Sequence, residues 1–541
     1  MPIKKYIATA DNTITNAYTI SSDGTTVLAV RGTGSNAGAA DILEVFSQYG
    51  TTGFDTTSQQ LSRILINFPI STISSDRTAG TIPATGSVNF FLKMHNAKHT
   101  HTVPEDFTLM VYPVSRSWEE GTGLDLVGHT DSTKGIPGSN WISGASSGGP
   151  WTTPGGDYIS ASNEWNRSGR PHFYSQSFST GFEDLEIDIT MLVEDWLMSL
   201  TGSPNLKNYG VGVQLTSSQE AQFTLTSSLP NTGSMVNRTS STTDSYYTKR
   251  FFARSTEFFY KKPAIEARWD SAKRDDRGGF YYSSSLAPAA ENLNTLYLYN
   301  YVRGRLRNIP AVGITGSIML SLCSGSTDNT KPDGTKLILS TTAHAVTGGW
   351  VATGIYSASV AITAAATPIK TLYDVWWSGS GADTSSSFVG GLEFSTGSIK
   401  PYSLAGGQSA REPVYYMNIT NLKNRYTRKE TARFNLYVRN KYWEPTIYTK
   451  ANATLPNTSI TSASYSVYRC LDAYEALPHG TGTILSTGMS YDVSGNYFDL
   501  DMSLFEAGYA YAFKFAFYDP ELSSWVEQDK VFKFRVEEYD Y

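Results

Sequence analysis

Three of the chain's seven histidines fall in one short stretch, Met94-His95-Asn96-Ala97-Lys98-His99-Thr100-His101. On an extended backbone His99 and His101 point to the same face, where with His95 they could supply the imidazoles that Zn²⁺ or another transition metal prefers. The plainer reading is a polar hairpin tip between a strand carrying Phe90 and Leu92 and one carrying Leu109 and Val111, and on that reading no metal or other cofactor is bound. Glycoside hydrolysis needs two carboxylates about 5 to 10 Å apart across a sugar cleft. Glu119, Glu120 and Asp125 beside Trp118 have the residue types for it, although Trp118 reads more simply as a structural ring. Asp492, Asp499 and Asp501 surround a Ser-Gly-Asn-Tyr turn and could offer oxygens to Ca²⁺, but EF-hand spacing is absent. Gly144-Ala145-Ser146-Ser147-Gly148 matches the G-x-S-x-G nucleophile elbow, yet no apolar strand leads into it and Pro150 stands where a helix must begin. The glycines from Gly32 to Gly38 are spaced wrongly for dinucleotide binding. These motifs do not add up to a catalytic constellation, so the expectation is a non-enzymatic protein. Recognition is the better prospect. Trp141, Trp151, Tyr158 and Trp165 lie in a Gly- and Ser-rich stretch, and amphipathic rings on polar loops suit contact with a neighbouring subunit or a glycan.

The elements that must position these residues are strands. Ile64, Ile66 and Phe68 alternate with polar positions such as Arg63 and Asn67, and Phe434, Leu436 and Val438 repeat the pattern. Tyr509, Tyr511, Phe513, Phe515 and Phe517 form an aromatic stripe at period two, with Phe532, Phe534 and Val536 after it. Each reads as a half-buried antiparallel strand. One helix is predicted, capped at Asp188, with Ile189, Leu192, Val193, Trp196, Leu197 and Leu200 on its core-facing stripe. Charged residues are only 17% of the chain against a usual figure of about 25%, while Gly (46), Tyr (34), Phe (25) and Trp (11) are abundant, a composition of strands and turns.

At roughly 150 residues per domain, 541 residues make two to four units. Charged or Gly-rich breaks at 268–279 and 403–413 divide the chain into 1–270, 280–405 and 411–541, with a Trp/Gly-rich insertion at 126–173 in the first. The last two share ordered blocks, among them Cys323 with Cys470 and Trp350 with Tyr497, at a spacing of 146 to 147 residues. A tandem pair of immunoglobulin-like sandwiches explains this, with the two cysteines as buried apolar residues of separate cores. Forty-three basic against 49 acidic residues give a net charge of −6, which provides no basic field for nucleic acid. No window approaches about 18 uninterrupted apolar residues, so no membrane-spanning helix is expected. The absence of a secretory pattern after Met1 and the presence of only two cysteines point to synthesis in a reducing cytoplasm.

In order along the first unit come Ala8-Thr-Ala-Asp-Asn-Thr-Ile-Thr-Asn-Ala17, Leu61-Ser-Arg-Ile-Leu-Ile-Asn-Phe68, Ser117-Trp-Glu-Glu120 with Trp141, the Asp188–Trp196 helix, and Phe252-Ala-Arg-Ser255 leading to Lys262-Pro-Ala-Ile-Glu-Ala267. This succession resembles the DNRLRE-type jelly-roll β-sandwich, a relative of carbohydrate-binding modules. The long insertion and the approximate ending, Ala253-Arg-Ser-Thr-Glu257, depart from that pattern. The stretch from Lys4 to Phe46 also looks like large virion proteins of marine tailed bacteriophages, particularly those of cyanobacteria. The resemblance implies an all-β chain, a jelly-roll-like sandwich with one short helix followed by two immunoglobulin-like sandwiches. It also implies a structural role in a phage virion (capsid, neck or tail), with copies of itself and other virion proteins as partners. The alternative is a tail or fibre adhesin that binds host surface glycans.

Overall fold

The computed structural model describes residues 3–20, 27–49, 59–99, 104–124, 138–145, 149–159, 172–202, 206–217, 219–220, 222–225, 233–236, 245–339, 343–364, 369–379, 383–388, 391–402, 414–444, 447, 457–482 and 484–539. Strands make up 44% of the chain and helices 7%, so the fold is all-β. The chain divides into two compact units, Met1–Asp270 and Ser271–Tyr541.

In the first unit two antiparallel sheets pack face to face. The smaller runs Ile3–Ile7, Ala264–Arg268, Asn89–Met94, Leu185–Asp188. The first strand of the unit therefore lies beside its last, a crossover of the jelly-roll kind. The larger runs Ser245–Phe252, Ile42–Tyr49, Gln59–Asn67, Val211–Leu215, Phe107–Pro113, Tyr174–Phe178, with Ala10–Thr15 also paired to Gln59–Asn67. Between the sheets Ile64, Ile66, Phe90, Leu92, Leu109, Val111, Val211, Val213 and Ile265 are completely buried.

The Gln59–Asn67 strand is buried on both faces rather than one. Ile64 and Ile66 enter the main core, while Leu61 and Leu65 enter a second cluster on the outer face of the large sheet with Ile14, Val114, Trp141 and Trp151. The predicted helix spans Thr190–Ser199 and buries Leu192, Val193 and Trp196. Asp188 is not its cap: it ends a strand, and its Oδ1 accepts from the Thr190 N–H (2.9 Å) and the Thr190 hydroxyl (2.6 Å). A second helix, Ile70–Thr78, was hidden by its Ser/Thr content, which gives almost no amphipathic signal; Arg77 ties it to the first through Glu194 (2.6 and 2.8 Å).

The second unit holds two immunoglobulin-like β-sandwiches in series. In the first, Asn294–Tyr299, Ile355–Val360, Val346–Ala352, Ile318–Gly325, Leu372–Ser378 and Glu393–Ile399 follow one another around a core that includes Leu296, Leu320, Tyr356 and Trp376. In the other, the sheet Tyr415–Ile419, Thr431–Asn440, Gly495–Asp501, Ser490–Asp492 faces a sheet containing Phe532–Glu537, Ala510–Asp519 and Ala463–Arg469. Its core is largely aromatic, and the Tyr509–Phe517 stripe forms its centre: Tyr511, Phe513 and Phe515 are completely buried.

The cysteine strand of each sandwich pairs antiparallel with the later aromatic strand, Cys323 opposite Tyr373 and Arg469, next to Cys470, opposite Tyr511. Trp350 and Tyr497 occupy different places: Trp350 lies on the first arm of its hairpin, Tyr497 on the second. Both cysteines are free thiols. Cys323 is buried, and burial pushes its thiol up to about 12; Cys470 is only half-buried, because it falls just past the end of its strand.

Candidate functional site

The sequence-selected residues separate once their partners are known. His95 Nδ1 lies 2.7 Å from Asp184 Oδ2, and the same carboxylate accepts from the Asn96 amide at 2.8 Å, so this imidazole is held by a neighbouring strand end. His99 is half-buried, and His101 lies outside the described residues. Among the described residues no three His, Cys, Asp or Glu side chains gather as a metal site requires. Asp499 pairs with both Arg433 nitrogens it faces (2.8 and 3.0 Å), Asp492 accepts from Ser494 in its own turn, and Asp501 caps a short helix through the Ser503 amide. Ser146 and Asp125 lie outside the described residues.

Glu120 is a structural anion. Its two oxygens meet Arg254 Nε and Nη2 at 3.0 and 2.7 Å, and Oε1 also accepts the Asp11 amide at 2.9 Å. Asp11 completes the group by accepting the Arg254 amide at 2.5 Å. Asp11 is 1% exposed. Burial pushes its carboxyl up, opposed by the Arg254 amide, reinforced by the charge of Glu120 and opposed again by that of Arg254; the result is about 7. The folded chain therefore keeps a proton that the unfolded chain has lost between about pH 4 and 7. Stability should fall as pH rises through that window, by at most about 1.4 kcal/mol per pH unit, and level off above it. Asp11→Asn keeps an acceptor for the Arg254 amide and removes the titration. The variant is expected to show a flatter profile of melting temperature between pH 4 and 7 and to be more stable than the parent at pH 8. Parallel profiles for the two proteins would contradict this assignment.

The Trp-rich stretch folds onto its own sheet. Trp141 and Trp151 are 7% and 4% exposed, packed on Leu61, Leu65 and Val114. The indole N–H of Trp151 donates to the Asn140 carbonyl (2.9 Å), and that of Trp118 to the Tyr209 carbonyl (2.8 Å). These indoles roof a sheet face, so the surface that Trp141 and Trp151 could offer a subunit or a glycan is small; the ring that buries well against a partner buries equally well against the chain's own leucines. Trp165 lies outside the described residues.

Tyr158 packs against the same cluster and also borders a cleft. Its ring rests where residue 212 has no side chain: a Cβ there would come within 2.1 Å of the ring, which is why the Val211–Leu215 strand carries glycine at this point. The Tyr158 hydroxyl donates to the Gly155 carbonyl (2.8 Å). Arg63 lies 5.7 Å from this ring and 5.4 Å from that of Trp141. Its guanidinium makes a two-point pair with Glu220 (2.8 and 2.7 Å) and donates to the Gly155 carbonyl (3.1 Å). Together with Ser115, Thr152, Thr153, Gly156, Asp157 and Gln214, Arg63 and Tyr158 line a cavity of about 430 Å³. Sequence reasoning placed Arg63 on the strand's polar side but missed its role; an arginine inside an otherwise apolar run, Leu61-Ser-Arg-Ile-Leu-Ile66, was the available signal.

No protein-family model and no curated protein matches the chain. Among solved structures it is similar to the titin domains Z1Z2 in complex with telethonin (11% identity, 45% of this chain and 86% of that one, TM-score 0.12). It is also similar to trypsin-activated alpha-2-macroglobulin from Escherichia coli (12% identity, 68% of this chain and 24% of that one, TM-score 0.15). A Salmonella alpha-2-macroglobulin mutant shares 11% identity over 58% of this chain and 19% of that one, with a TM-score of 0.14. The chain thus spans only about a quarter and a fifth of the two macroglobulins, and likenesses this slight say nothing of function.

Proposed function

We propose that the chain is a non-enzymatic structural component of a tailed-phage virion that works through protein–protein contacts with copies of itself and other virion proteins. The observation that supports this best is an exposed patch on the first sandwich of the second unit. The hairpin Tyr301–Leu306 turns at Arg303 and Gly304, both with positive φ (51° and 74°), and displays Tyr301 and Val302 at 59% and 50% exposure. Beside it Trp350 and Val351 are also exposed, with the Trp350 indole N–H donating to Asn308 Oδ1 (3.2 Å). Arg303, Arg305 and Arg307 surround them, all exposed. Tyr, Trp and Arg are the residues that dominate binding energy at protein interfaces, and isolated chains rarely display them together.

Two measurements test the proposal. Antibody-labelled electron microscopy of purified particles is expected to show the chain as an ordered ring or lattice, and its absence from purified particles would end the virion reading. Replacing Tyr301 and Trp350 together by Ala is expected to weaken incorporation into particles about tenfold or more while leaving the melting temperature nearly unchanged, since both side chains are at the surface.

A further inference from the structure

We propose that Lys249 and Asn96 of the first unit become joined by a covalent side-chain amide that the folded chain forms by itself. Lys249 lies on Ser245–Phe252, the edge strand of the large sheet, between Tyr247 and Phe251 on its core-facing side. Alternation calls for an apolar side chain at this point, yet the position holds a lysine that is 1% exposed. Its Nζ donates to three neutral acceptors at 2.7 Å each, Asn96 Oδ1 and the carbonyls of Gly181 and Glu183. The rings of Phe178 and Phe251 flank it, with centroids 4.9 and 5.3 Å away. An ammonium buried among neutral acceptors is costly, and for packing alone an apolar side chain of similar volume serves better. What a lysine adds here is a nucleophile.

Burial pushes the Lys249 amine down to about 8, opposed by the charges of Glu183 and Asp184, so the free amine is far more populated at neutral pH than in an ordinary lysine. It is held in contact with the carboxamide it attacks, an arrangement that replaces a collision by a fixed neighbour. Asp184 positions the target: its Oδ1 accepts the Asn96 backbone amide at 2.8 Å, and its Oδ2 lies 2.7 Å from His95 Nδ1. In the reaction the amine turns from Oδ1 to the face of the carbonyl, the Nζ–Cγ bond forms and the Cγ–Nδ2 bond breaks. One Nζ proton goes to the departing nitrogen, so ammonia leaves past the half-buried Asn96 and no oxidant or other reactant is consumed. Glu183, whose carbonyl already meets Nζ, also carries a buried carboxylate oxygen, Oε2, with no hydrogen bond among the described residues, and this oxygen relays the proton. The product ties the edge of the large sheet to the end of the Asn89–Met94 strand of the small one across 153 residues, closing a loop as a disulfide does in a chain whose own cysteines are free. The inference is independent of the virion proposal: particle labelling decides one, peptide mass the other.

The test is mass spectrometry of the full chain, purified folded and incubated at about pH 8, where half of the Lys249 side chains are free amine. The intact mass is expected to fall below the sequence mass by one ammonia. A tryptic digest is expected to contain the peptide Met94–Lys98 linked to the peptide 239–250, with cleavage after Lys249 blocked. Asn96→Ala should keep the full sequence mass and release both peptides unlinked. Glu183→Gln, which retains the Oε1 acceptor of the Ser179–Thr180 turn, should slow the mass loss about tenfold or more. An incubated parent chain at full sequence mass with both peptides separate would overturn the proposal. So would loss of ammonia with the peptides still separate, the mark of a succinimide at Asn96, or a link at Lys249 that survives Asn96→Ala. An unchanged rate in Glu183→Gln would overturn the relay.

Discussion

Phe434→Ala is expected to destabilise the last sandwich by about 3 to 5 kcal/mol, the range for deleting a fully buried aromatic side chain. The ring is completely buried. It stacks on Phe498, its cross-strand partner, at 5.1 Å and 20°, meets Phe513 edge-on at 4.8 Å, and lies 5.2 Å from Tyr426. Such pairs add about 0.5 to 1.5 kcal/mol each beyond the area they bury, which places the loss toward the upper end of the range. In scanning calorimetry of the full chain this corresponds to a fall of about 10 °C or more in the transition of the second unit. Phe434→Leu retains most of the volume and should recover much of the loss. A shift of only a degree or two for the alanine variant would mean that the neighbouring rings close over the gap or that this packing contributes little.

Arg277→Ala should cost a similar amount for a different reason. The guanidinium lies between two acids of the second unit, with Nη2 2.5 Å from Asp374 Oδ2 and Nη1 3.1 Å from Asp275 Oδ2. Asp374 is 1% exposed, and the same oxygen accepts the indole N–H of Trp376 at 2.9 Å. Removing the arginine leaves that carboxylate buried without its counter-charge, a loss of about 3 to 5 kcal/mol. The deficit should depend on pH. Burial already pushes the Asp275 carboxyl up to about 6 against the pull of Arg277, and without that pull it rises further. Protonation of Asp275 relieves part of the uncompensated charge, so the variant should recover ground relative to the parent as pH falls from 8 to 5. The double variant Arg277→Met with Asp374→Asn should regain most of the stability. Equal loss at both pH values would show that the arginine acts by packing rather than by charge.

Much of the fold was legible because strand periodicity is a local property. Ile64, Ile66, Phe434, Leu436 and the Tyr511–Phe517 stripe face the cores that their alternation assigns, since a side chain's face is decided by its neighbours two residues away. The break at 268–279 contains the division between the two units, whereas 403–413 lies outside the described residues. What escaped was non-local or weakly patterned. The helix Ile70–Thr78 carries no apolar stripe, and Asp188 has the side chain of a cap but lies two residues before the first helical residue.

The sequence by itself determined that this is a chain of β-sandwiches, that its aromatic stripes form cores and that its two cysteines belong to separate sandwiches. Only the tertiary structure decided which charges meet. Arg63 with Glu220, Glu120 with Arg254 and Arg277 with Asp374 are each joined across 97 to 157 residues. No short window relates such partners, because their pairing depends on the order in which strands enter the sheets. The same holds for the Trp-rich stretch. An indole suited to a partner's surface is chemically the same as one suited to its own sheet, and the choice was made by the empty outer face of Leu61 and Leu65, a surface that exists only after the strands have paired.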